Sequence, residues 1–533
     1  MRYITIIFFL FFTIQTEANI FTLKEIESMP KSIAKDYYIW RFLQERNTTK
    51  EEALQAYQWI KRKNHKLKKS IRKKVGYLPK EDKAKIENKK DPNNYIIYPK
   101  EASKKSRKAL KRLYKKIKKQ GKYSDVLKVI ADKKPFEALE TVTPKTACYI
   151  LNGVTKKFRK KYFNHPFSKE QLQELAKEEQ FNKTLFKIVT THSLQNLKKS
   201  LIYTPPTDTI SFKSLFLLAI NSVEFSEIEI AIEYLNIARV RAKYQSHKDQ
   251  CDFWLYLLTK ESSYLDKLIE SNQINIYTLK ARDILKKPYP KVITPNLGFH
   301  LITDIDPFSP IDWEKIKMAI KKEKPKNIDK LAEKYNSYIT EGIYTYLKEK
   351  ASQYKKPYYP MPYRDAMIGK NRYRVALLYA LGRQESRFVP ASISTSYALG
   401  MMQIMPFLIK HLAKERGEKL DLNEMFNPYI AISYADQHLN YLTRYLYHPL
   451  FIAYSYNGGI GFTKRTIKSS HLFKKGEYEP YLSMELIDYE ESREYGKKVL
   501  SNYVIYLNIL GVKTRLTPFL EILDNPFETD KFR

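Results

Sequence analysis

Glu385 is the residue in this sequence best placed to do chemistry. Val375, Leu378, Tyr379 and Gly382 recur at helical spacing and form one apolar face. Glu385 follows three residues after Gly382 and seven after Leu378, so it projects from the inward side of the same helix. A carboxyl group there loses solvent, its charged form is disfavoured, and its pKa rises. An acid that cleaves glycosidic bonds needs that state, with a proton still present near neutral pH and ready for a leaving oxygen. Periodicity also allows a plainer reading, in which Glu385 merely ends the helix, exposed or paired with Arg383 or Arg387.

The neighbouring motifs decide between the two. Gln384-Glu385-Ser386 is followed by Pro390 and then by Ala398-Leu399-Gly400-Met401-Met402-Gln403-Ile404-Met405-Pro406. Asn427-Pro428 and Ala453-Tyr454-Ser455-Tyr456-Asn457-Gly458-Gly459 come next, and Glu490-Glu491-Ser492-Arg493-Glu494-Tyr495 precedes an apolar C-terminal helix. This order resembles the soluble lytic murein transglycosylases, whose members show Gln-Glu-Ser, Gly-Leu-Met-Gln-Ile-Met-Pro, Ala-Tyr-Asn-Ala/Gly-Gly and late Glu-Thr-Arg motifs. Tyr359 to Asp365 is similar to the family's lead-in. The resemblance is close over about 175 residues, from Tyr359 to the C terminus. Further upstream it extends only to helical character and position.

The resemblance implies a lysozyme-like catalytic domain and a large ring-like helical region before it. It makes Glu385 the acid and later the base. It places Ser394 near the reacting sugar, lines the cleft with Gln403 and Met405, and sets Tyr456 close to the catalytic carboxyl. Asn457 would support that loop and the sugar contacts, and Glu491 would bind an amino group of the peptide stem or an N-acetyl sugar. There are departures. Met401 stands for the common leucine, a volume-conserving change, and Gly458 stands for alanine. Tyr397 stands where many members have glycine, so the loop from Ser394 to Gly400 is expected to differ in shape.

The implied activity is that of a carbon–oxygen lyase acting on polysaccharide. It cuts the β-1,4 bond between N-acetylmuramic acid and N-acetylglucosamine without water and leaves a 1,6-anhydro end. Ordinary glycosidases place two carboxylates about the bond. The segment from Ser394 to Gln403 offers no obvious second acid, and Asp365 and Asp436 remain candidates. Two rivals stand beside this reading: a hydrolytic muramidase using the same Glu385, and a non-catalytic scaffold that binds the cell wall.

The elements that must position these residues are helices. The chain has 533 residues, 43% of them hydrophobic, enough for sizeable cores and more than one domain. Only 15 are glycine, about 3% against a usual share of roughly 7%, which points to helices joined by short turns. The expected fold is mainly α, with an N-terminal α-superhelical region followed by a lysozyme-like C-terminal domain. Leu217, Ile220, Ile228, Ile232, Leu235 and Ala238 give the clearest helical spacing, between Leu215 and Ala242; Phe253 to Leu285 continues in the same manner. Pro-rich clusters at 286–310 and 355–362 divide the chain into a leader at 1–18, a superhelical region at 19–295, a helical linker at 296–356 and a catalytic domain at 357–533.

Arg2, an apolar run of about eleven residues from Ile4 to Ile14, and the small residues Thr16 and Ala18 read as a cleaved signal peptide. That run is shorter than the roughly 20 residues a spanning helix needs. The expected location is therefore the periplasm. Cys148 and Cys251 could be bridged in an exported protein, but their spacing makes no disulfide framework, and the apolar stretch 147–151 suits a buried thiol. The formal net charge is +37, and nine of the fourteen residues from Lys61 to Lys74 are basic, as is much of 104–119. Such patches suit a polyanion such as cell wall or an anionic membrane surface, or else are solvated helix faces. The signal peptide and the lack of a nucleic-acid motif disfavour nucleic acid. His411, His438, His448 and His471 show no metal-ligand spacing, and Gly458-Gly459-Ile460-Gly461 lacks the lysine of a nucleotide loop. No cofactor or metal is implied; the sequence leaves the oligomeric state open, with a monomer favoured.

Overall fold

The computed structural model describes residues 21–79, 96–117, 121–299 and 301–533. The signal-peptide reading, with Thr16 and Ala18, lies outside these residues, as do Lys118 and Lys119 of the second basic stretch. Among the described residues the architecture is all-helical, and extended pairing is confined to isolated bridges. No described helix is long and apolar enough to cross a membrane.

Helices near the N terminus include α1 (Ile33–Phe42) and α2 (His65–Val75). Helix α2 shows how the basic run folds. Leu67, Ile71 and Val75 are buried along one stripe while most of the lysines between them face outward. Five successive helices then stack in series, each packed on the next: α3 (Phe212–Glu224), α4 (Ile228–Arg241), α5 (Gln245–Thr259), α6 (Ser262–Glu270) and α7 (Ile276–Ile284). The stretch 215–242 is thus a hairpin rather than one helix. Its turn at Phe225-Ser226-Glu227 puts Ser226 at φ +61°. Apolar spacing runs through the turn because both helices bury their faces against the same core, so the pattern alone did not mark the break.

Between the array and the C-terminal residues, the helices Pro310–Ala319, Pro325–Glu333 and α8 (Glu341–Ala351) enclose a small core of their own, built on Trp313, Ile316, Ile320, Ile328 and Leu347. Val389 and Ala391 complete it from the other side. A second, much larger core joins buried side chains from Ile26 to Ala281 with others from Tyr359 to Leu523. The helical array and the C-terminal region are therefore packed together through buried side chains.

The C-terminal region is built on α9 (Arg372–Ser386), α10 (Pro406–Arg416), α11 (Pro428–Leu442), α12 (Pro449–Gly458) and the long α13 (Glu490–Ile509). Helix α13 packs along both α9 and α12. A Cβ on Gly496 would come within 2.1 Å of the Tyr454 ring, so glycine there lets α13 lie against α12. Cys148 and Cys251 are both free and buried, as the apolar setting of Cys148 led one to expect; burial pushes the Cys148 thiol up to about 12.

Candidate functional site

Helix α9 forms as its sequence requires. Asn371 caps it by accepting the Arg374 N–H, and Val375, Leu378, Tyr379 and Gly382 are all buried. Directly after Ser386 the backbone turns left-handed at Arg387 (φ +54°) and Phe388 (φ +65°), a conformation costing side-chain-bearing residues about 1–3 kcal/mol each. The Phe388 side chain, fully buried beside Tyr379 and Tyr506, holds that turn in place. Glu385 therefore sits on the last turn of a helix whose end is fixed by packing.

Among the described residues its carboxyl has no cationic partner. The two neighbouring guanidiniums, Arg383 and Arg387, both turn to Glu349 on α8, and Arg383 also stacks 4.2 Å over the Tyr359 ring. The reading in which Glu385 pairs with one of them is thus set aside by geometry. Instead Oε1 accepts a 2.7 Å hydrogen bond from the Tyr495 hydroxyl. Protein packed around the carboxyl pushes its pKa up to about 8; the Tyr495 bond pulls the other way, and the nearby negative charge of Glu491 adds to the rise. Burial wins because a phenol offers one hydrogen bond where water would offer several. At neutral pH Glu385 keeps its proton.

Further bonds tie the segments around the end of α9 together. Tyr456, on α12, feels the Glu385 charge, and its hydroxyl donates to the Met402 carbonyl at 2.8 Å. Ser386 Oγ donates to the Met401 carbonyl at 2.7 Å. Together these bonds fasten residues 401–402 across the end of α9 and beside α12. Asn457 Oδ1 accepts the Ser492 hydroxyl at 2.6 Å, tying the end of α12 to the start of α13. Glu491 is exposed one turn before Tyr495 and accepts the Tyr489 hydroxyl at 3.1 Å.

The loop from Ser394 to Gln403 is shaped by its own polar side chains. Ser394 Oγ accepts the Ala398 N–H at 2.9 Å and the Ser396 N–H at 3.3 Å. Gln403 donates through Nε2 to the carbonyls of Gly400 (2.8 Å) and Ser392 (3.1 Å). Gly400 is required where it stands: φ is +73°, and a Cβ would lie 2.0 Å from the Met425 carbonyl oxygen. Met405 is half-buried at the N-cap of α10. Bridges of Leu399 to Ile393 and to Ile404 close the loop into a compact unit.

Tyr397 keeps the left-handed backbone (φ +62°) that a glycine would adopt freely. Its ring is buried between Tyr37 and Trp40 of α1, at 5.8 and 5.4 Å, and its hydroxyl donates to the Asp36 carbonyl at 3.1 Å. Lys66 of α2 covers both Trp40 and Tyr397, and its amine donates to the Ser396 carbonyl at 2.7 Å. The side chain that stands here in place of glycine thus anchors the loop to the N-terminal helices.

The other expected acids are engaged elsewhere. Asp365 accepts the Tyr429 hydroxyl at 2.9 Å, and Asp436 pairs with Lys370 at 2.7 Å and Arg374 at 3.6 Å. The four histidines are dispersed: His448 caps α12, His411 pairs with Glu415, His471 stacks on His192, and His438 lies beside Tyr456. Tyr495 is the site residue the sequence reading missed. Its spacing of four from Glu491 puts both on one face of α13, a signal that was present in the late motif.

With this geometry in view, residues 363–478 match the transglycosylase SLT domain family. This segment is similar to that family. The match contains Glu385, the 394–405 loop and Tyr456, and stops before Glu491 and Tyr495, which α13 returns to the same site. The soluble lytic murein transglycosylase of Salmonella typhimurium is 27% identical over 168 residues, covering 30% of this chain. The matched segment spans only 25% of that relative. Among solved structures, lytic transglycosylase Slt of Pseudomonas aeruginosa, in an inactive mutant, aligns with TM-score 0.49 and 14% identity over 90% of this chain and 74% of that one. The 70 kDa soluble lytic transglycosylase of Escherichia coli aligns with TM-score 0.46 and 15% identity over 94% and 84%.

Proposed function

We propose that this chain is a peptidoglycan lytic transglycosylase. The observation that carries the proposal is the Glu385 carboxyl, protonated near neutral pH, without a cationic partner among the described residues, inside the segment that matches the SLT family. Glu385 gives its proton to the glycosidic oxygen between N-acetylmuramic acid and N-acetylglucosamine as the bond to the anomeric carbon opens. The substrate's own acetamido oxygen supports the developing positive charge, so no second enzyme carboxylate is needed. The carboxylate then takes the proton of the muramic C6 hydroxyl, whose oxygen closes on the anomeric carbon. The products are a free 4-hydroxyl and a 1,6-anhydro end, and Glu385 regains its proton. Tyr495 steadies the intermediate carboxylate by donating to it.

In this reading Tyr456, Asn457, Ser394, Gln403 and Met405 border the glycan. Gln403 spends both hydrogens of its amide on loop carbonyls and offers its oxygen to sugar hydroxyls or amides. Exposed Glu491 is suited to a cationic amine on the peptide stem. Residues 1–18 direct the chain to the periplasm, 19–295 form a superhelical region, 296–356 a linker and 357–533 the catalytic domain. The chain works as a monomer without cofactor, its basic face toward wall or membrane.

The test is Glu385→Gln, which keeps size and removes the titrating proton. Release of soluble fragments from purified wall should fall at least about a thousandfold with the helical signal unchanged. Release at the normal rate would leave the chain a wall-binding scaffold.

A further inference from the structure

A cavity of about 680 Å³ opens where the linker meets the start of the SLT domain, between residues 295–297, 338–341 and 361–365 and the first turn of α11. None of Glu385, Gln403, Tyr456 or Glu491 lines it. Its walls are aromatic. Tyr338 and Tyr429 are 54% and 46% exposed, so both rings are open to a ligand, and Phe308 and Tyr363 add to them. The rings are held: Tyr363 meets Tyr429 edge to face at 5.7 Å, and the Tyr429 hydroxyl donates to Asp365 at 2.9 Å. Tyr363 itself sits at φ +54°.

The polar groups are few and placed. Glu341, only 4% exposed, lines the cavity, and the Met361 N–H, at 3.0 Å, is the hydrogen bond its carboxyl receives from the protein. Burial pushes Glu341 up to about 7, so near neutral pH it is shared between carboxyl and carboxylate and can both donate and accept. Asp365 and Arg364 then balance one another. In a chain of net charge +37, this is an aromatic-walled hollow that sets two acids beside one arginine. Such a lining opposes an anion and suits a molecule with both apolar C–H faces and many hydroxyls.

We infer that this cavity is a second saccharide-binding site, separate from the Glu385 cleft, in which Tyr338 and Tyr429 stack on pyranose faces while Glu341, Asp365 and Arg364 hold hydroxyl and amide groups. The choice of an amino-sugar ligand rests on the glycan-cleaving reading above. The site would hold a strand away from the bond being cut.

The probe is the β-1,4 tetramer of N-acetylglucosamine, added to the full chain carrying Glu385→Gln and followed by hydrogen exchange and calorimetry. Amides in 295–299, 338–341 and 361–365 should gain protection in addition to any near residue 385. Adding Tyr338→Ala, at an exposed ring, should remove that protection and weaken binding at this site about tenfold. Protection absent from these segments, or unchanged in both Tyr338→Ala and Tyr429→Ala, overturns the inference. Anhydro products from the unaltered chain with no protection here would leave the catalytic proposal standing and this one lost. Water-cleaved products with protection here would do the reverse.

Discussion

The Tyr495 hydroxyl donates a 2.7 Å hydrogen bond to Glu385 across 110 residues of sequence. The bond stabilises the charged carboxylate and so opposes the rise that burial imposes. Tyr495→Phe removes the donor, and the Glu385 pKa must climb further above about 8. A hydrogen bond to a charged group contributes about 1.5–3 kcal/mol, or roughly one to two pKa units. If protonated Glu385 starts the reaction, the alkaline limb of the pH–rate profile should move upward by that amount. The maximal rate should fall about ten- to a hundredfold, because the carboxylate formed midway loses its support. A profile unmoved by Tyr495→Phe would detach this bond from the chemistry.

The same carboxyl ties stability to pH. Folding raises the Glu385 pKa from 4.5 to about 8, so between these values the folded chain holds a proton that the unfolded chain has released. Stability therefore falls as pH rises through this window, by at most about 1.4 kcal/mol per pH unit from this group. Glu385→Gln has no such group. In urea unfolding the variant should gain on the parent by about 2–4 kcal/mol between pH 5 and pH 8. A constant gap across that range would contradict the burial argument.

Tyr397 joins the 394–403 loop to the N-terminal helices. Tyr397→Gly suits the left-handed backbone but deletes a buried ring, its bond to the Asp36 carbonyl and the surface on which Lys66 rests. Core deletions of this size cost about 3–5 kcal/mol, partly offset by the relief of backbone strain. The variant should lower the unfolding midpoint and raise KM for wall fragments more than it lowers kcat. A change in kcat alone would argue against a positioning role.

A buried polar cluster fastens the array to α13. Glu485 accepts from Lys497 at 3.0 Å, from the Tyr277 hydroxyl at 2.5 Å and from Gln250 at 3.1 Å, all buried. Lys497→Met leaves Glu485 without its cation and should cost about 3–5 kcal/mol. Replacing Lys497 and Glu485 together by Met and Leu should recover most of that loss, as unfolding by denaturant would show.

Much of the site was legible because helical chemistry is local. The 3.6-residue spacing of Val375, Leu378, Tyr379 and Gly382 fixed the inward direction of Glu385, and all four are buried. The motif order brought Gln403, Met405, Tyr456 and Asn457 to attention, and bonds of Tyr456 and Ser386 to the carbonyls of Met402 and Met401 tie two of those segments to the end of α9. What stayed hidden depends on contacts far apart in the chain. Nothing near Asp36 in sequence announces that its carbonyl will receive the Tyr397 hydroxyl 361 residues later. That Arg383 and Arg387 would choose Glu349 over Glu385 is likewise set by how α8 lies against α9. The hairpin at Ser226 was blurred because its two helices share one apolar period.

The central claim is that one carboxyl both gives and takes the proton, with the substrate's own hydroxyl as nucleophile. The most direct measurement is the mass of the muropeptides released from purified peptidoglycan by the unaltered chain. The account predicts fragments one water lighter than hydrolytic ones, ending in 1,6-anhydro-N-acetylmuramic acid. Fragments with reducing N-acetylmuramic acid ends would contradict it.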